Sequence, residues 1–135
     1  RALKPGEDYA DENACHPGNI ANPDNLGYSD GVLFVGEDSS GHMNNAVWAF
    51  DTVKKTLTRI LSAPTGAEIT GSFASLDIDG SRYLFINIQH PLGDHSRNAS
   101  GLKANRDYLK GGSGSSKRSY TGYVELPAPS TIAGH

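Results

Sequence analysis

Short apolar runs recur along this chain at nearly even spacing, each closed by turn residues, and that rhythm predicts β-strands. Residues 1–23 are polar and interrupted by Pro5, Pro17 and Pro23, so neither the helical period of 3.6 nor the strand period of 2 survives there and an irregular arm is expected. Strand-like runs then occupy residues 25–28, 32–35, 46–50 and 56–61, separated by the turn Ser29-Asp30-Gly31, the polar loop 38–45 and the turn 51–55. Val32-Leu33-Phe34-Val35 is apolar at every position, the mark of a strand covered on both faces.

The pattern then starts again. Residues 68–76 read as a strand, Asp77-Ile78-Asp79-Gly80 as a hairpin turn and residues 82–88 as a second strand, with Asp-Gly supplying the positive backbone angles a tight hairpin requires. The chain is polar from residue 91 to residue 119, including a glycine-serine run at 111–116, before a last strand at 120–126 is stopped by Pro127 and Pro129. The two halves overlay with Asp24 matched to Glu68, about 44 residues apart, which is the size of one four-stranded propeller blade. The expected fold is all-β, with about two four-stranded antiparallel blades of a β-propeller forming an incomplete ring, and a β-sandwich as the alternative. Residues 1–23 are then an arm, 24–62 the first blade, 63–127 the second blade with a long loop at 91–119, and 128–135 a C-terminal tail. Two blades alone leave apolar flanks uncovered, and burying one Leu, Ile or Phe is worth roughly 1.5–3 kcal/mol against a total stability of about 5–15 kcal/mol. Partners are therefore expected: the N-terminal remainder of a propeller, or further copies of this chain.

Composition narrows the classes. A chain of 135 residues is the size of one domain, and 12 basic against 15 acidic side chains give a net charge of −3, too mild to argue for nucleic acid or a membrane surface. No apolar run approaches the roughly 18 residues of a membrane span, and the opening residues do not resemble a signal peptide. A single cysteine, Cys15, excludes an internal disulfide and leaves a free thiol, a metal ligand or half of a bond to another chain.

The candidate chemistry follows from blade geometry. The first strand of an up-and-down blade begins at the end where the second finishes, so Asp24, Asn25, Glu37, Asp38, Glu68, Gln89 and His90 are expected on one rim. Carboxylates with amide and imidazole neighbours suit a hard cation such as calcium, and a carboxylate-histidine mixture also admits iron or zinc. Glu68 stands out because a charged residue between Ala67 and Ile69 has no evident structural purpose, and His90 is the expected acid-base helper. His42, Asn44 and Asn45 read as surface or loop-bracing groups, and Arg59 as part of a solvated outer strand.

Five motifs in order carry a family resemblance. Asn22-Pro23-Asp24-Asn25-Leu26, Val35-Gly36-Glu37-Asp38-Ser39 with Gly41-His42, Asn45-Ala46-Val47-Trp48-Ala49-Phe50-Asp51, Gly66-Ala67-Glu68-Ile69-Thr70-Gly71 and Asn87-Ile88-Gln89-His90-Pro91 together resemble the C-terminal part of the PhoX-type alkaline phosphatases. The resemblance implies an exported bacterial propeller of about six blades, periplasmic or extracellular, that hydrolyses phosphate esters with calcium and iron at its axis. It implies Glu68 as a metal ligand, with Asp24 and Glu37 beside it. The residues before Glu68, Pro64-Thr65-Gly66-Ala67, contain no arginine to clamp a phosphate. The alternative therefore stays open: a non-catalytic, cation-braced propeller segment that serves in binding or assembly.

Overall fold

The computed structural model describes residues 13, 15–78, 80–91 and 118–126, with the backbone alone at 73–77. Seven strands are present among them: β1 Pro23–Ser29, β2 Val32–Glu37, β3 Ala46–Asp51, β4 Thr56–Ser62, β5 Glu68–Ile78, β6 Ser81–Gln89 and β7 Tyr120–Leu126. All pairings are antiparallel between sequence neighbours, giving a four-stranded sheet β1-β2-β3-β4 and a three-stranded sheet β5-β6-β7. The chain is thus all-β, as the run pattern predicts. The expectation of four strands per blade holds for the first sheet, whereas the second has three among the described residues. Most of the long loop expected at 91–119, and the tail, lie outside the described residues.

Turn chemistry sets the strand boundaries. Ser29 pairs with Val32, so Asp30 and Gly31 form a two-residue hairpin in which both have positive φ, 44° and 78°, the primed geometry that matches strand twist. The β3–β4 turn is closed by Asp51, whose Oδ1 accepts from the backbone N–H groups of Val53 at 2.9 Å and Lys54 at 2.8 Å. Those donors, Lys54 foremost, hold the Asp51 carboxyl below its ordinary range against the opposing effect of burial.

The two sheets face each other across one apolar core. Val32, Phe34, Val47 and Ala49 from the first sheet meet Ile69, Leu84, Ile86 and Leu126 from the second, with Ala63 and Ala67 of the connecting segment between them. β5 lies against β1 and β2 closely enough to demand glycine at two positions. A Cβ on Gly27 would stand 2.7 Å from the Ser72 carbonyl oxygen, and one on Gly36 would stand 3.0 Å from both Cγ2 and the carbonyl oxygen of Ile69.

Polar ties fix the relation of the sheets at both ends. Near the start of β1, the Asn25 amide donates to the Ile69 carbonyl at 3.3 Å. At the other end, the buried Arg82 reaches from β6 to Asp30 Oδ2 at 2.7 Å and donates to Ser29 Oγ at 3.2 Å. Contacts from Asn25 to Ile69 and from Gly27 to Ser72 advance together, so β1 and β5 run side by side in the same direction. Asn44 and Asn45 brace the connection as expected: Asn44 donates to the Ala63 carbonyl at 2.8 Å and Asn45 to that of Ala67 at 2.9 Å.

Candidate functional site

Two carboxylate-histidine pairs occur among the described residues, and their surroundings give them different chemistry. The first is Glu68 with His90. Glu68 opens β5 and is the Cα partner of Gln89, so β6 delivers His90 beside it as the strand ends. His90 Nε2 stands 3.1 Å from Glu68 Oε2, with side-chain exposures of 40% and 17%. The His90 backbone has φ of 30°, a left-handed conformation that a residue preceding proline rarely adopts. Gln89 next to it is held by a bond from its amide to Thr70 Oγ1 at 3.0 Å.

Asp24 and Asn25 lie at the same end of the neighbouring strand. The Asn25 amide bonds the Asp24 carboxylate and the Ile69 carbonyl, which sets the start of β1 beside the start of β5. Pro23 pairs with Glu37, so the end of β2 arrives there too, with Asp38 exposed just beyond it. Among the expected rim residues, Glu68 and His90 are in direct contact, and Asp24 and Asn25 join them by strand position.

Glu37 belongs to the second pair and is buried beneath the arm, on the face of the sheet that carries Val35 and Trp48. Its side chain is wholly buried and its two oxygens accept four hydrogen bonds, from Ala21 N at 2.8 Å and Trp48 Nε1 at 2.7 Å on Oε1, and from Ala46 N at 2.9 Å and His42 Nδ1 at 2.9 Å on Oε2. A carboxylate so supplied with donors is satisfied by the protein itself and needs no cation. His42, read from the sequence as a loop group, is buried as its partner. Its pKa is raised above 6.5, chiefly by the hydrogen bond to Glu37, while desolvation and the Arg59 charge oppose the shift. In the imidazolium form both ring nitrogens donate, Nδ1 to Glu37 and Nε2 to the His16 carbonyl at 3.3 Å. This pair anchors the end of the arm, the β2–β3 loop and Trp48 to one point.

Arg82 is a further residue that the sequence reading did not single out. Alternation with the buried Leu84 and Ile86 puts it on the inward face of β6, a pattern that the continuous apolar run Tyr83-Leu84-Phe85-Ile86 hides in the sequence. Arg59 is exposed, as expected, with its guanidinium over the Trp48 ring at 5.9 Å and a bond to the Pro17 carbonyl at 3.3 Å. Among the described residues no three His, Cys, Asp or Glu side chains gather closely enough to hold a metal ion, and no helix is long and apolar enough to cross a membrane. No protein-family model, no curated protein and no solved structure matches the chain.

Proposed function

We propose that this chain is two neighbouring blades of a β-propeller and that its rim contributes Glu68 and Asp24, with His90 beside them as a proton carrier, to a cation site in a PhoX-like, metal-dependent phosphoesterase. The observation that carries the proposal is the Glu68–His90 pair, part exposed where β5 begins and β6 ends, beside the start of β1. Parallel alignment of β1 with β5 through close backbone contact at Gly27 supports the blade reading, since first strands of adjacent blades run alike around a central axis.

The donor types fit the two ions that the family resemblance implies. Calcium takes oxygen ligands, which Glu68 and Asp24 offer, and iron also accepts carboxylate oxygen, so that His90 stays beside the ions as a proton carrier rather than a ligand. Calcium takes about 6–8 ligands, so these residues are part of a set shared with polypeptide outside the described residues. Glu37 is left out of the proposed set because its lone pairs are occupied. A metal here would polarise a phosphoryl oxygen. His90, oriented by Glu68, would carry the proton to the departing alkoxide. An exported setting goes with the same resemblance.

The second reading is the non-catalytic, cation-braced segment, and one observation favours it: no third ligand-type side chain joins Glu68 and His90 among the described residues. Hydrolysis of a chromogenic phosphomonoester with calcium and iron present, measured for the native assembly and for Glu68→Ala, separates the two. The enzyme reading predicts turnover that falls at least about a hundredfold in the variant. Cation binding without turnover favours the brace, and turnover unaffected by the substitution excludes Glu68 from the chemistry.

A further inference from the structure

We propose that this chain associates head to tail with copies of itself, the outer face of its four-stranded sheet docking on the outer face of the three-stranded sheet of the next copy. The inference rests on the faces turned away from the core and does not depend on the cation site.

The outer face of the first sheet is divided into two rows. Leu26, Val35, Trp48 and Arg59 are successive Cα partners across the sheet nearer the rim, and Tyr28, Leu33, Phe50 and Leu57 form the next row toward the turns. The arm covers the middle of the first row, with Ile20 packed against Val35 and Trp48 and the Pro17 carbonyl bound by Arg59, while Leu26 at its edge stays exposed. The second row is left open, with Tyr28 66% and Leu57 37% exposed.

The outer face of the second sheet is divided at matching levels. Thr70, Asn87 and Thr121 form a polar row near the rim, tied together by the bond from Thr121 Oγ1 to Asn87 Oδ1 at 2.8 Å. The next row is aromatic. Tyr123 is 67% exposed, with its ring edge-on to Tyr83 at 5.4 Å and tilted against Phe85 at 6.0 Å.

Within the chain β1 and β5 lie level, with Gly27 beside Ser72. When the outer faces of two copies meet at that same level, Tyr28 and Leu57 face Phe85 and Tyr123, and the polar arm faces Thr70, Asn87 and Thr121. The β3–β4 turn, with Lys54 and Lys55, then stands level with Glu125 of β7. Apart from Leu26, apolar meets apolar, polar meets polar and cation meets anion at the one offset the molecule already uses between its own sheets. Face-to-same-face docking with the strands aligned lacks this match, because it sets the lysine turn and Arg59 against themselves, and with the strands reversed it sets Tyr28 and Leu57 against the rim end rather than against an aromatic row. The occupant that fits is therefore a second copy in a heterologous contact.

Sedimentation velocity on the full chain from about 1 to 100 µM tests this, because assembly is concentration-dependent. The wild type is expected to gain mass with concentration. Tyr28→Glu and Tyr123→Glu each remove one of the two faces and are expected to weaken association at least about tenfold. An equimolar mixture of the two variants recovers a 1:1 dimer, because each retains the face the other has lost. Far-UV circular dichroism checks that the variants fold, with Leu57→Lys replacing Tyr28→Glu if the latter does not. A wild type that stays monomeric throughout, variants that assemble like the wild type, or a mixture that stays monomeric would each overturn the proposal.

Discussion

Glu37 is a charged side chain with no exposure, and its four protein donors explain how the fold tolerates it. Removing the carboxylate in Glu37→Ala orphans those donors and leaves the His42 cation buried without a counter-charge. The expected loss is about 3–5 kcal/mol, read from urea midpoints. Because His42 has a folded-state pKa raised above its unfolded value, its contribution is fully present below about pH 6.5. That contribution is lost as pH rises through the raised value, so wild-type stability should decline across this window while His42→Gln shows a flatter profile. Much of this was hidden in the sequence. Glu37 could be found as the charged end of an apolar run, but its donors come from Ala21, His42, Ala46 and Trp48 on three separate segments. Glu68 was more legible, since nothing around it in sequence asks for a charge, and so was His90 at the close of an apolar strand. The contact between them depends on the left-handed backbone of His90, which its sequence context, before proline, argues against.

The strands were legible almost residue by residue because each is closed by turn chemistry that acts locally. Asp30-Gly31 and the Asp51 side chain make their turns whatever lies beyond them. Asp51→Ala, which deletes the acceptor for Val53 and Lys54, should lower the thermal midpoint. The lowered pKa of Asp51 adds a sign: its contribution is present above the unfolded carboxyl value and is lost as pH falls through the folded one. The difference in midpoint between wild type and Asp51→Ala should therefore narrow in acid. Sheet size was less legible, because the second half carries three strand-like runs where the overlay of the halves asks for four, and residues 92–117 lie outside the described residues.

At the scale of the molecule, the two sheets are held by close backbone approach as much as by apolar area. Gly27→Ala places a methyl group against the Ser72 carbonyl and is expected to cost about 1–3 kcal/mol, whereas Gly122→Ala, with open space around it, should be neutral within about 1 kcal/mol. Sequence overlay of the halves pointed to two alike sheets sharing an end. The face-to-face contact that brings them together lay in glycines and in Asn25 and Arg82, whose partners are more than forty residues away. The proposed cation site depends most on the rim formed where β1 and β5 begin together. Isothermal calorimetry of calcium binding to the wild type and to Glu68→Gln tests that rim most directly. Saturable binding by the native assembly is expected, weakening at least about tenfold in the variant, since calcium loses a charged oxygen ligand. Equal binding by both proteins, or none by the native assembly, would contradict it.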